Sequence, residues 1–146
     1  MNHYNKRNFI LTQSVGFTLA KARNLVTAEI DAALKEHDIT SQQMGILLSL
    51  QRAMASTPFE LSTLLGIDTG LMTRVLDKLE DKGLLARSRS GEDRRIVNLN
   101  LTEKGSRLAE QIPEIVPPVL NARLTHFSRE EFTEFLRLLN KFIASE

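Results

Sequence analysis

The sequence contains no cysteine. Disulfides, thiolate metal sites and thiol redox sensing are therefore excluded whatever the fold. It has no run of about 18 apolar residues, so no segment reads as crossing a membrane. The stretch Met1-Asn2-His3-Tyr4-Asn5-Lys6-Arg7 lacks the apolar core and small-residue cleavage site of an export signal, and a cytoplasmic protein is expected. Histidine occurs only as His3, His37 and His126, without metal-ligand spacing. No glycine-rich phosphate loop or nucleophile elbow is present either, so neither a metal, a cofactor nor catalysis is expected. An excess of one charge is missing too. A net charge of +1 and a pI near 8.1 fall short of a dedicated nucleic-acid module. Any case for such a partner rests on where the charges sit.

What is present suits one domain: 146 residues, 42% of them hydrophobic, enough to bury a core. From Phe9 to Glu36 there is no proline, and Val15, Leu19, Ala22, Val26, Ile30 and Ala33 recur at spacings of three and four. That predicts one amphipathic helix about 42 Å long. Thr40 and Gln43 form a capping box for a second helix that fades between Ala53 and Ser56. Thr57-Pro58-Phe59-Glu60 starts a short third helix with a cap, a proline at the first position and a glutamate, and Gly66 stops it. Asp68 or Thr69 caps a fourth helix with Leu71, Val75, Leu76 and Leu79 inward, ended by Gly83. A short helix, a three-residue turn and a second helix read as a helix-turn-helix. The period then changes to two. Leu85 to Arg89 and Ile96 to Leu101 predict a hairpin, a wing, with Ser90-Gly91-Glu92-Asp93 at its tip. Thr102 caps a further helix, which Pro113 and Pro117-Pro118 are expected to kink or break. Ser128 to Glu131 is another capping box, followed by the stripe Phe132, Phe135, Leu136, Leu139, Phe142 and Ile143. The fold class is mainly α with a small β-hairpin wing: a winged helix-turn-helix over 40–101, flanked by helical segments at 9–36 and 103–146.

On the fourth helix, Gly70, Thr73, Arg74, Asp77 and Lys78 point away from the buried stripe. The early residues of such a helix meet base edges in a major groove. Thr73 offers a hydroxyl and a methyl, and Arg74 grips guanine or a phosphate. Gly70 lets the helix start, next to Thr69, approach a backbone closely, where free amides favour an anion. The ordinary alternative is a solvated helix face, and Asp77 argues mildly for it. On the hairpin, Arg87, Arg89, Arg94 and Arg95 cluster near the tip, where arginines can enter a narrow, negative minor groove. Asp93, two residues before Arg95, can hold its guanidinium in one rotamer.

The ordered runs Leu79-Glu80-Asp81-Lys82-Gly83-Leu84-Leu85-Ala86-Arg87, Asp93-Arg94-Arg95 and Leu99-Asn100-Leu101-Thr102-Glu103-Lys104-Gly105 resemble the signature of the MarR family of transcriptional regulators. The resemblance extends from the long first helix to the closing helical pair. It implies a homodimer that binds a palindromic site in double-stranded DNA, most simply as a ligand-responsive repressor. Arg95 would enter the minor groove with Asp93 orienting it, and Thr73 and Arg74 would serve the major groove; Thr69, Gly70, Lys78, Arg89 and Arg94 complete the candidate DNA-binding set. The terminal apolar residues, Phe9 and Ile10 and the stripe from Phe132 to Ile143, exceed what the lobe needs for its own core, and a second copy can cover them. The resemblance also implies a small aromatic or phenolic anion as effector, for which Arg23 and His37 are the candidate contacts. Met44 reads as core. The rival reading is a winged helix used only for protein–protein contacts, which would not need arginines at the wing tip.

Overall fold

The computed structural model describes residues 1–144. The chain runs through a 3₁₀ turn at Leu11–Gln13, then α1 (Val15–Leu34), a second 3₁₀ turn at Lys35–His37, α2 (Ser41–Gln51), α3 (Pro58–Leu65) and α4 (Thr69–Asp81). Strands β1 (Leu85–Arg89) and β2 (Val97–Leu101), α5 (Glu103–Leu124) and α6 (Arg129–Ile143) follow. Among the described residues, no helix is long and apolar enough to cross a membrane.

Start signals determine most of these boundaries. Thr40 and Gln43 make both bonds of a capping box at α2, and Ser128 and Glu131 do the same at α6. At α3 the Thr57 hydroxyl accepts from the Glu60 amide, while the Glu60 carboxylate reaches past the cap to the amide of Ser56, 2.7 Å away. Gly66 ends α3 with φ 63°, a left-handed conformation that glycine adopts without steric cost. Asp68, not Thr69, caps α4, accepting from the amides of Gly70 and Leu71.

The first helix is shorter than its periodicity predicted. Ser14 caps α1 at Val15, and the Tyr4 hydroxyl accepts from the Val15 amide at 2.9 Å, so Phe9 to Gln13 lie outside the α-helix. Twenty residues make α1 about 30 Å long. Its buried side is Ile30 and Leu34, whereas Val15 and Ala22 are exposed. In the first turn of α4 the fully buried position is Met72 and Leu71 is half-buried, because Met72, Val75, Leu76 and Leu79 also keep the helical spacing.

The three prolines neither end nor divide α5, which is continuous over 22 residues. Gly105, Ala109, Ile112 and Val116 are buried on one side, and Pro113, Pro117 and Pro118 are all exposed. Pro117 and Pro118 withhold donors from the carbonyls of Pro113 and Glu114, which belong to exposed residues, where water can replace them. Burial of the opposite side against α1 and α2 then outweighs the prolines.

The fully buried side chains Leu34, Ile46, Leu47, Leu61, Met72, Leu76, Leu79, Leu85 and Ile112 come from α1 to α5 and β1. Met44 is partly buried against this core. Helix α6 contributes no buried residue, and Phe132, Phe135, Leu136, Phe142 and Ile143 are exposed.

The two strands are antiparallel, with Leu85 opposite Leu101 and Arg89 opposite Val97. A knot of contacts holds the hairpin's base. Gly83 turns the chain out of α4 with φ 70°, and the Thr102 hydroxyl donates to the Gly83 carbonyl at 2.6 Å. The same hydroxyl accepts from the Gly105 amide, capping α5. The Lys104 ammonium donates to the Lys82 carbonyl at 3.0 Å. A Cβ on Gly105 would lie 1.9 Å from the Leu84 carbonyl oxygen, so only glycine lets α5 cross the chain there. The Leu99 amide donates to the Ser56 carbonyl at 2.8 Å and fastens β2 to the α2–α3 loop.

Candidate nucleic-acid interface

Helix α4 presents Thr69, Gly70, Thr73, Arg74, Asp77 and Lys78 to solvent. The Thr73 hydroxyl donates back to the Thr69 carbonyl at 3.1 Å, which leaves its lone pairs and methyl available outward. Gly70 is exposed, but its amide and that of Leu71 already donate to Asp68 Oδ2, at 3.0 and 3.1 Å. The helix start is therefore not the free anion site the sequence predicted: the cap that begins the helix takes the donors. Among the described residues, the Arg74 and Lys78 side chains have no hydrogen bond or ion pair.

The wing tip is a turn in which the Ser90 amide donates to the Ile96 carbonyl. The Ser90 hydroxyl accepts from the amides of Glu92 and Asp93. Asp93 Oδ1 accepts from the Arg95 amide at 3.0 Å and from Arg95 Nε at 3.2 Å. The Arg95 amide, and after it the guanidinium, hold the Asp93 carboxyl below its ordinary value. The Arg95 side chain is nevertheless 92% exposed. Its rotamer is held from one side while its outer nitrogens face water. Arg89 donates to the Arg94 carbonyl at 3.1 Å, and the Arg94 side chain has no partner among the described residues.

Arg87 stands apart from this group. Its guanidinium turns back to α4, 2.7 Å from Asp77 Oδ1 and 3.6 Å from Glu80 Oε1. The tip arginines are thus Arg89, Arg94 and Arg95, and the carboxylate that argued against the α4 face is paired. One sequence signal could have located this contact: Asp77 and Glu80 are three apart on a helix, so both can face one cation. Lys82 likewise works internally. Its ammonium donates to the Asp38 carbonyl and to Gln43 Oε1, tying the end of α4 to the α1–α2 corner.

Arg23 and His37 do not share a site. Fourteen residues along α1 and its continuation separate them by about 20 Å. His37 lines a shallow cleft of about 410 Å³ with Leu84, Lys104, Arg107 and Leu108, and Arg107 there is paired with Glu103. Arg23 is exposed on α1. No group of residues fit to hold a metal occurs among the described residues.

A short α3, a three-residue turn, an exposed α4 and a charged hairpin define a winged helix-turn-helix protein. A family model described as MarR family matches residues 39–97, from the end of the α1–α2 corner to the start of β2. The multiple antibiotic resistance protein MarR of Escherichia coli strain K12 is 33% identical over 130 residues, spanning 86% of this chain and 90% of that protein. Its counterpart from Salmonella typhimurium strain LT2 is 35% identical over 107 residues, 73% of this chain and 74% of that protein. Among solved structures, a cysteine-to-serine mutant of E. coli MarR in complex with operator DNA superposes with a TM-score of 0.83 at 27% identity, covering 92% of this chain and 99% of that one. The chain belongs to the MarR family: it is a transcriptional regulator, not an enzyme.

Proposed function

We propose that the protein is a homodimeric, ligand-responsive repressor that binds a palindromic operator in double-stranded DNA. In this reading residues 1–146 are one MarR-like domain, with dimerisation segments at 9–36 and 103–146 and a DNA-binding lobe at 40–101; Ser145 and Glu146 lie outside the described residues. Thr69, Gly70, Thr73, Arg74 and Lys78 meet the major groove, and Arg89, Arg94 and Arg95 the minor groove and its phosphates. The observation that carries the reading is Arg95, aimed by Asp93 and yet 92% exposed. An arginine held in one rotamer with no further internal partner loses little entropy on docking. The solved complex of E. coli MarR with operator DNA supports the same use of the lobe.

The homodimer rests on uncovered apolar surface. Phe9, Ile10, Leu11, Phe127 and the α6 stripe other than half-buried Leu139 are exposed, and a groove of about 370 Å³ between α1, α5 and α6 is lined almost wholly by apolar side chains. A second copy supplies the matching surface at about 25 cal/mol per Å² buried. The effector reading rests on the His37 cleft, where Leu84 and Leu108 meet Lys104 and the Arg107–Glu103 pair, a setting for an aromatic anion that takes Arg107 from Glu103. Selection of bound duplexes from a random pool, with footprinting of the winners, tests the whole. An inverted repeat with half-sites about 10 bp apart is expected. No enrichment at moderate salt would refute the DNA reading, and sedimentation as a monomer at micromolar concentration would refute the dimer. Release of the bound duplex by benzoate, lost in His37→Ala, is the expected effector result.

A further inference from the structure

We propose that Arg87 is a positioning residue of the DNA-binding surface, which locks the wing to α4 and screens two carboxylates without itself touching DNA. The proposal rests on the reading that α4 and the wing bind duplex DNA. Arg87 lies in the middle of β1, opposite Leu99. Its side chain is 28% exposed, against 92% for Arg95. It bridges Asp77 and Glu80, whose side chains are 54% and 44% exposed on α4. Asp77 lies one turn beyond Thr73 and Arg74 and next to Lys78. Unpaired, it would repel the phosphates those residues are placed to meet. Paired, it gives the helix a grip on the strand.

The grip matters because the wing has few others. A two-stranded hairpin is marginal by itself. Here its base is held by buried Leu85 and by the bond from Leu99 to Ser56, while β1 beyond Leu85 has no fully buried side chain. Arg87 is the charged link that sets the angle between hairpin and helix. Exposed pairs contribute little to global stability, so its removal leaves the fold intact and changes the relative placement of two binding elements. Because Arg87 neutralises carboxylates rather than phosphates, it releases no counterion from DNA.

The test measures operator affinity and its salt dependence for Arg87→Ala, Arg87→Lys, Asp77→Ala and the Asp77→Ala/Arg87→Ala double variant. Arg87→Ala is expected to lose about tenfold in affinity, within the range of coupled neighbours, and the Asp77→Ala/Arg87→Ala double variant, in which the lost charges cancel, keeps the wild-type slope of log affinity against log salt. Arg87→Lys recovers part of the loss. Asp77→Ala binds more weakly than wild type although it removes a negative charge, and the double variant matches Asp77→Ala instead of multiplying the two losses. In the free protein, amide exchange across 90–96 rises in Arg87→Ala while the melting temperature holds. Should Arg87→Ala unfold, the lysine and Asp77 variants decide alone. A salt slope lower by about one unit in the double variant would mean a direct phosphate contact and overturn the proposal. Tighter binding by Asp77→Ala, or multiplying losses, would also overturn it. Wild-type protein that selects no duplex overturns the DNA-binding reading and this proposal together, whereas wild-type affinity in Arg87→Ala overturns this one only.

Discussion

Adding one methyl group at Gly105 tests whether the crossing of α5 over Leu84 organises the lobe. The Cβ of Gly105→Ala would lie 1.9 Å from the Leu84 carbonyl oxygen, 2.9 Å from its carbonyl carbon and 3.3 Å from its Cα. All three are backbone atoms, so no side-chain rotamer can relieve the clash. The helix start and the Leu84 backbone must separate by roughly 1 Å, a change that overpacked sites resist at about 1–3 kcal/mol. The same shift pulls the Thr102 hydroxyl from the Gly83 carbonyl or the Gly105 amide, now 2.6 and 3.0 Å away, and a lost cap costs about 1 kcal/mol more. A total near 3 kcal/mol in a chain of 146 residues lowers Tm by about 10 °C. The assay is thermal unfolding followed by circular dichroism at one protein concentration, since the proposed dimerisation would make Tm concentration-dependent. Gly16→Ala is the control: its Cβ would meet nothing within 4 Å, and it should hold or raise Tm. A Gly105→Ala variant melting within about 2 °C of wild type would show that the contact yields cheaply and that the argument is wrong.

Alanine at Arg74 should cost about 1–3 kcal/mol of operator affinity and most of the discrimination against random duplex, with normal melting; equal losses on both DNAs would deny it a base contact. Arg95→Ala should weaken operator and random DNA by similar factors, and Asp93→Ala should partly mimic it; tighter binding by Asp93→Ala would disprove the orienting role. Because its carboxylate is held ionised by Arg95, Asp93 should titrate below its ordinary 3.8 by carbon-detected NMR. The sign follows from linkage: a depressed pKa makes the Asp93–Arg95 link present above the ordinary value and lost as pH falls through the lowered one. Arg95→Ala should keep part of that depression, because the backbone amide is its largest cause; a full return to the ordinary value would contradict this.

Much of the architecture was legible in the residues because its signals are local. Caps at Thr40, Thr57 and Ser128, the left-handed turns at Gly66 and Gly83 and the change of period after Leu85 each depend on neighbours a few positions away. They located α2, α3, α4, the hairpin and α6 without any knowledge of packing. The Asp93–Arg95 contact belongs with them, being two residues apart. Where the sequence reading failed, the deciding partner was in most cases distant. Periodicity ran on through Phe9 to Gln13, yet Ser14 and the Tyr4 hydroxyl start α1 at Val15. Intrinsic propensity argued against α5 across three prolines, and burial of Ile112 and Val116 overrode it. One miss was local: the amides of Gly70 and Leu71, read as open to an anion, are taken by the cap Asp68 two and three residues before them. Arg87 was one more wing arginine until folding set it beside Asp77, ten positions earlier. Local chemistry determined which elements form, where they begin and how near neighbours such as Asp93 and Arg95 pair; only tertiary packing, through contacts between residues far apart in the chain, decided that Arg87 and Lys82 are used up inside the protein while Arg74 and Arg94 remain for a partner.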